Sequence, residues 1–197
     1  MAEIDPRQSI AEPGLPETIA ACSYFCIMAI AQATIEDIPA LEKLLNRSYR
    51  GDDSKKGWTS EADLLQGELR TDAETLQRLM QIPGAIFLKY VSEQNQVEGC
   101  VFLHKLENKL YLGMLSVSPL IQARGIGKQL MSEAETYART QNCSSVFMKV
   151  ISVRDELVAW YERKGYHKTG RTEPFPRDDR FGVPTRALEF MIMEKKL

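Results

Sequence analysis

A glycine-containing turn between a strand and a helix is the part of this sequence whose residues best suit chemistry. Residues 112–117 are mostly apolar, Gln122, Gly125 and Gly127 follow, and apolar residues at helical spacing resume at Ile126. Such a turn places free backbone N–H groups at a helix N-terminus, where the macrodipole adds partial positive charge. The turn therefore suits an anion, above all a pyrophosphate.

The spacing of this turn excludes two common phosphate-binding motifs. A Walker A loop needs a glycine five residues before its Gly-Lys pair and a serine or threonine after it, but Gln122 and Gln129 stand there. A dinucleotide-binding fingerprint needs a third glycine where Leu130 stands. A tight turn that binds no ligand remains the alternative on the spacing alone.

Together with a second segment downstream, the turn resembles the GNAT superfamily of acetyl-CoA-dependent N-acetyltransferases. The family's acyl-CoA motif is Gln/Arg-x-x-Gly-x-Gly/Ala after a strand with a Val-x-Pro-like end, and residues 117–127 match it. The second match is the segment 156–166, a predicted helix that contains Tyr161 and ends at Gly165. Both matches occur in the family's order.

The resemblance covers residues 28–195, and residues 57–65 and 172–176 extend it to a bacterial subgroup of unassigned substrate. It implies an α/β fold of the α+β type, a single GNAT-like domain with a mixed, mostly antiparallel sheet flanked by helices on both faces. The order of the elements agrees, since hairpin strands come first and a βαβ pattern follows. We expect residues 1–22 to be a flexible tail and residues 23–197 to form the N-acetyltransferase domain.

The predicted elements can be placed along the chain from periodicity, turn residues and capping residues. We expect a first strand near residues 24–33, a helix from Thr34 to Tyr49, and a polar loop at 51–57. The further expected helices and strands are, in order, helices 61–69 and 72–81, strands 85–92, 97–106 and 111–117, a helix from 126, strand 145–151, helix 155–164 and strand 185–193.

Acetyl transfer to an amine needs a thioester held in place, a neutral amine, hydrogen-bond donors for the oxyanion, and a proton for the departing thiolate. The resemblance assigns the binding of acetyl-CoA, the acyl donor, to the strand end, the turn and one later residue. These are Leu115, Ser116, Val117, Gln122, Ala123, Arg124, Gly125, Ile126, Gly127, Lys128 and Arg154.

Each part of this set has an expected role. In the family the strand splays from its neighbour, so that backbone groups at 115–117 are open to pantetheine and the Val117 N–H can stabilise the oxyanion. Gly125 and Gly127 leave room for close backbone approach. Arg154 stands where the family often has asparagine, so it either reaches a CoA phosphate or is solvated.

The catalytic residues follow from the resemblance and from residue type. Tyr161 is expected to protonate the CoA thiolate, although an aromatic residue on an amphipathic helix also suits a core. Glu61 is expected to recognise the amine or accept its proton beside Trp58, and the alternative is a helix N-terminal charge behind a Ser60 cap. Phe175, in the long segment 171–183, is a third candidate for substrate binding, and the alternative for this segment is a packed surface loop or a dimer contact. Glu98 or a water chain could replace Glu61 as the base.

The composition limits the function classes. The chain has 197 residues and a net charge of −2 without a basic run, which disfavours nucleic acid as a partner. The four cysteines have no metal-ligand spacing, so we expect no metal and buried thiols at Cys100 and Cys143. The apolar segment 18–35 has an acidic rather than basic flank, which favours a strand over a membrane span. A cytoplasmic protein follows as the default.

Three functions are compatible with these observations. The leading one is an N-acetyltransferase that acts on a primary amine of a small molecule or a protein by direct attack in a ternary complex, with dimerisation common in the family. A non-catalytic acyl-CoA-binding sensor or interaction module would need the turn but not Tyr161. An NTPase would need stabilisation by a nucleotide.

Overall fold

The computed structural model describes residues 29–57, 59–122, 124–176 and 178–197. The helices are α1 (Ile38–Tyr49), α2 (Gly51–Ser54), α3 (Ala73–Met80), α4 (Ile126–Thr140) and α5 (Asp155–Glu162), with 3-10 turns at Ile35–Asp37 and Asp179–Phe181. The strands are β1 (Ala29–Gln32), β2 (Leu65–Gln66), β3 (Ala85–Val91), β4 (Val97–Leu106), β5 (Lys109–Val117), β6 (Ser145–Ile151), β7 (His167–Pro174), β8 (Val183–Pro184) and β9 (Glu189–Lys196). None of the helices in these ranges is long and apolar enough to cross a membrane.

The described strands form a seven-stranded sheet in the order β1-β3-β4-β5-β6-β9-β7, beside a small β2–β8 pair. Every neighbouring pair in the large sheet is antiparallel except β5 and β6. Alternate strand residues are buried on opposite faces of the sheet. One face packs against α1 and α3, and the other packs against α4 and α5. The predicted α/β fold with a mixed, mostly antiparallel sheet and helices on both faces is confirmed.

Four segments differ from the predicted elements. Residues 61–69 form turns and the short β2 rather than a helix, because Leu65 pairs with Pro184. The predicted loop at 51–57 begins with α2, and the segment 171–183 begins as part of β7. Strand β7 is an exposed edge strand, so no apolar alternation marks it, and β9 begins only at Glu189.

Two predictions concern residues that lie wholly or partly outside the described ranges. The expected tail, residues 1–22, lies wholly outside them, and of the expected first strand only Ala29–Gln32 is described.

The expected core thiols are confirmed, since Cys100 and Cys143 are both buried. Burial raises the pKa of the Cys100 thiol to about 12, which suits a core residue.

Strands β5 and β6 separate after a short stretch of pairing. Residues 109–111 pair in parallel with residues 145–147, but β5 continues to Val117 and β6 to Ile151. The register between β4 and β5 shifts just where the pairing with β6 has ended, and Met114 adopts φ 49° there. Such a bulge bends its strand and increases the twist. The outcome is a gap in the sheet at the end of β5.

A buried arginine fixes the segments that lie beside this gap. Arg50 directly follows α1, and its side chain is only 2% exposed. It donates from Nη1 to Glu61 Oε2 at 2.6 Å and from Nη2 to the Phe181 carbonyl at 2.9 Å. One guanidinium therefore holds the segment before β2 and the segment before β8 against the end of α1.

Replacing this arginine should destabilise the fold far more than replacing a neighbouring surface arginine. Arg50→Ala removes the 2.6 Å partner of Glu61, which is only 12% exposed, and leaves Arg70 at 3.8 Å as its nearest opposite charge; we expect a loss of about 3–5 kcal/mol in the free energy of unfolding. Arg47→Ala, whose pair with Asp53 is 37% and 41% exposed, should cost less than about 1 kcal/mol. Urea denaturation measures both, and equal losses would contradict the assigned role of Arg50.

Candidate functional site

The glycine turn joins β5 to α4, and its two glycines serve different purposes. Gly125, just before α4, has φ 81°, in the left-handed region that glycine adopts at no steric cost. A Cβ at Gly125 would meet no protein atom within 4 Å, and one at Gly127 would meet only Val117 Cγ2 at 3.7 Å. The chain itself therefore does not crowd these positions. Gly125 is needed for its φ, and Gly127 leaves the N-terminus of α4 open.

A cavity of about 350 Å³, here called the glycine cleft, opens over this turn. Its apolar lining comes from β5, α4 and α5, and three cations stand in its wall without a carboxylate among its described lining residues. The lining residues are Thr59, Leu115, Val117, Ile121, Gln122, Arg124, Gly125, Ile126, Gly127, Lys128, Leu157, Trp160, Tyr161 and Lys164. An elongated ligand with an apolar arm and an anionic end suits this lining.

Gln122 connects the glycine turn to two neighbouring segments of the chain. Its Nε2 donates to the Val117 carbonyl at 3.0 Å, and a Cβ at Gly57 would come within 2.7 Å of the same nitrogen. Gln122 thus links the end of β5 to the loop after α2. Ala123, expected beside it, lies outside the described residues.

The end of β5 presents backbone groups to the gap. Ser118 N–H donates to the Glu98 carbonyl at 2.8 Å, which makes Val117 and Gly99 a non-hydrogen-bonded pair of the β4–β5 ladder. The Val117 N–H therefore points away from β4, into the gap. By the same alternation the Ser116 amide points toward β4. Of the residues 115–117 expected to contact pantetheine, Ser116 therefore directs its amide away from the gap.

Helix α1 already satisfies two carbonyls at this strand end. Tyr49 donates its hydroxyl to the Leu115 carbonyl at 3.3 Å, and Ser48 Oγ donates to the Val117 carbonyl at 3.4 Å. Burial raises the pKa of Tyr49 to about 12, so its phenol stays protonated and remains a donor.

Tyr161 stands where the glycine cleft meets a second cavity. Its side chain is buried, in edge contact with the rings of Trp160 at 5.1 Å and Tyr166 at 6.1 Å. Its hydroxyl makes no hydrogen bond within the described part of the chain. Burial, and secondarily the nearby Tyr49, raises the pKa of Tyr161 above its usual value near 10. The phenol is therefore protonated throughout the neutral range.

The second cavity, here called the inner pocket, measures about 110 Å³. It shares Thr59, Leu115, Leu157 and Tyr161 with the glycine cleft, so the two cavities adjoin at Tyr161. The remaining lining residues are Tyr49, Glu61, Arg70, Tyr111, Leu112, Gly113, Met114, Met148, Lys149, Val150, Ile151, Arg154 and Phe190.

Glu61 does line the inner pocket, but as half of an ion pair. Its Oε2 accepts from Arg50 at 2.6 Å and lies 3.8 Å from Arg70 Nε. The expected helix behind a Ser60 cap is absent, since residues 61–64 form a turn. The carboxylate of Glu61 therefore faces two arginines.

Arg154 is placed differently from both expectations. It is 9% exposed and donates to the Ser60 carbonyl at 2.6 Å and to Glu156 at 2.8 Å. It lines the inner pocket and is not among the residues of the glycine cleft. The physical reason is the loop at 59–61, which lies across the start of α5 and engages the guanidinium.

Among the remaining acceptor-side candidates, Phe175 and Glu98 do not line the inner pocket. The Phe175 ring packs on Phe190 at 5.0 Å, and Phe190 rather than Phe175 lines the inner pocket. Trp58 lies outside the described residues. Glu98, considered as a base, lines neither cavity.

Several residues of the inner pocket could not be found from the sequence. Tyr49 is the last residue of an ordinary amphipathic helix, Arg70 lies in a loop, and Tyr111 and Lys149 are strand residues. No local pattern distinguishes them, because the sheet order alone brings them together. Trp160 and Lys164 in the glycine cleft were detectable in principle, as they flank Tyr161 on the same helix and turn.

Comparison with known proteins agrees with this geometry. The acetyltransferase (GNAT) family matches residues 38–166, whereas a comparison with curated proteins gave no significant match. A ribosomal-protein-alanine N-acetyltransferase from Brucella melitensis has a similar structure, with a TM-score of 0.64 and 20% identity over 86% of this chain and 99% of that one.

Two further similar structures contain a ligand of the CoA type. The PaiA N-acetyltransferase from Thermoplasma acidophilum, in complex with coenzyme A, has a TM-score of 0.59 and 20% identity over 86% of this chain and 98% of that one. A phosphinothricin acetyltransferase from Sinorhizobium meliloti, in complex with AcCoA, has a TM-score of 0.62 and 16% identity over 86% and 88%. The chain belongs to the GNAT acetyltransferase family, and it is an N-acetyltransferase of that type.

The two glycines of the turn should respond differently to alanine. Gly125→Ala forces a left-handed φ on alanine, and we expect a loss of about 1–2 kcal/mol in the free energy of unfolding. Gly127→Ala adds a methyl group in ordinary contact inside the first turn of α4, and should be neutral or stabilising by up to about 1 kcal/mol. Chemical denaturation of both variants tests this, and a destabilised Gly127→Ala would contradict it.

Proposed function

We propose that this protein transfers an acetyl group from acetyl-CoA to a primary amine by direct attack while both substrates are bound, with Tyr161 protonating the CoA thiolate. The observation that carries this proposal is the meeting of two cavities at Tyr161, beside the open edge of β5. The glycine cleft would hold the donor, and the inner pocket would hold the amine. The two cavities share the side chains of Thr59, Leu115, Leu157 and Tyr161.

The residues present fit the donor. The N–H groups at the start of α4 would hold the pyrophosphate, with Arg124 and Lys128 adding charge at the exposed rim. Gly127 would let the ligand approach the helix backbone. The Val117 N–H, which points into the gap, would donate to the thioester oxygen as negative charge develops on it.

The reaction needs two proton transfers, one from Tyr161 to the thiolate and one from the amine to water. The raised pKa of Tyr161 keeps its proton in place until a strongly basic thiolate forms beside it. Because Arg50 and Arg70 already engage Glu61, we assign Glu61 to the shape and charge of the pocket rather than to proton removal. The amine would then lose its proton to water before attack.

Binding of the donor is tested by thermal unfolding with acetyl-CoA, ATP and NAD. Acetyl-CoA at 100 times its Kd should stabilise the protein by about 2.7 kcal/mol, while ATP and NAD should not. Gly127→Ala should lose most of the acetyl-CoA effect without losing stability, since its methyl group occupies the approach to the α4 backbone. If acetyl-CoA gives no stabilisation, the proposed function is wrong.

The role of Tyr161 is tested with Tyr161→Phe, and Tyr166→Phe serves as the matched control. Tyr166 is also buried but lines neither cavity, and its hydroxyl donates to Glu135. We expect Tyr161→Phe to lower kcat by about 10²–10⁴-fold while acetyl-CoA still stabilises the protein. The control should retain kcat.

The pH dependence provides a second readout of the same residue. Since its pKa is raised above about 10, Tyr161 stays protonated and kcat should show no descending limb below pH 10. A fall of kcat between pH 7 and 9 that disappears in Tyr161→Phe would argue against the assigned proton transfer.

A further inference from the structure

The inner pocket carries a positive charge that acetyl transfer does not itself require. Its charged lining residues are Glu61, Arg70, Lys149 and Arg154. All of them except Arg70 have an opposite charge at 2.5–2.8 Å. The nearest carboxylate oxygen to Arg70 is that of Glu61 at 3.8 Å, and this oxygen already accepts from Arg50. Arg70 is thus the excess charge among the described residues of the pocket.

The guanidinium of Arg70 is held in place with its outer nitrogens open. Its central carbon lies 5.2 Å from the centroid of the Tyr49 ring, a distance at which cation–π attraction restrains the side chain. The side chain is 28% exposed, and its two Nη atoms make no hydrogen bond to any described residue. Arg70 lines the inner pocket, and its two Nη groups are therefore available to a ligand there.

A second open donor, the hydroxyl of Tyr111, lies on the same wall. Tyr111 and Gly113 point to the same face of β5, and a Cβ at Gly113 would come within 2.9 Å of the Tyr111 hydroxyl. The absent side chain of Gly113 thus lets the phenol lie over the strand. Burial raises the pKa of Tyr111, whereas the nearby Arg70 acts in the opposite direction. Within the described chain this hydroxyl has no hydrogen-bond partner.

We propose that the amine acceptor carries a carboxylate, which Arg70 binds through its guanidinium while Tyr111 donates a further hydrogen bond from its hydroxyl. This rests on the proposed function, because it concerns the acceptor of the same reaction. A carboxylate matches the planar fork of arginine, and an excess positive charge disfavours acceptors with a second ammonium group. The pocket of about 110 Å³ is small, so the substrate class is the small aminocarboxylic acids, with free amino acids first.

The test compares free amino acids, each with its own carboxamide, as acceptors in a thiol-release assay with acetyl-CoA. We expect at least one amino acid to be used with a kcat/KM about 10–100-fold above that of its carboxamide. The carboxamide has the less basic amine and so more neutral amine at a given pH. A preference for the acid therefore reports recognition of the carboxylate rather than amine reactivity.

Variants then assign this preference to residues. Arg70→Gln should reduce the ratio of kcat/KM for acid over carboxamide by about 10–100-fold, mainly through KM, and Arg70→Lys should restore it only in part because lysine lacks the fork. Tyr111→Phe should lower the ratio less. Arg47→Gln, a surface arginine outside both cavities, is the matched control and should keep the wild-type ratio.

The outcomes separate this inference from the proposed function. If acetyl-CoA does not stabilise the protein, the proposed function fails and the inference fails with it. If acetyl-CoA binds but no amino acid exceeds its carboxamide, or simple amines and polyamines or protein N-termini are preferred, only the carboxylate inference is wrong. The inference is also overturned if Arg70→Gln leaves the ratio at its wild-type value.

Discussion

The separation of β5 from β6 is the constraint on which the rest of this structure depends. Parallel pairing ends after residues 109–111, and the backbone beyond it has lost its partner strand. Unpaired backbone groups in a buried place are costly, so they must find other partners. The carbonyls of Leu115 and Val117 accept from side chains of α1, whereas the Val117 N–H faces the gap. The end of β5 thus presents a backbone donor to the gap, and these two carbonyls already have donors of their own.

The glycine cleft and the inner pocket, which both open beside the gap, differ in the charges that line them. The described wall of the glycine cleft contains Arg124, Lys128 and Lys164 without a carboxylate, which suits a strongly anionic ligand. The charged residues of the inner pocket instead have close partners of opposite charge except Arg70, and the deeply buried Arg50 compensates Glu61 from behind the wall. A buried pair of this kind contributes less to net stability than to a defined geometry, and here it holds two loop segments on α1.

The sequence predicts the glycine cleft better than the inner pocket, for a physical reason. Strands β4 and β6 have the predicted bounds, and the glycine turn leads into α4 as expected, because local periodicity and turn residues determine them. The loop around Glu61 was predicted as a helix because its pairing with β8, more than 100 residues away, leaves no local signal. Arg154 was expected at the donor from its spacing to Tyr161, but its direction is set by the Ser60 carbonyl 94 residues earlier.

The bulge in β5 connects the two parts of the site. It begins at Gly113, whose missing side chain admits the Tyr111 phenol, and passes through Met114 at positive φ. The strand then turns its Val117 N–H into the gap. The same irregularity of a few residues thus opens the strand edge beside the glycine cleft and shapes the wall of the inner pocket. A bulge extends over only a few residues, so the distance between the reacting ends of two substrates would be fixed by backbone geometry rather than by flexible side chains.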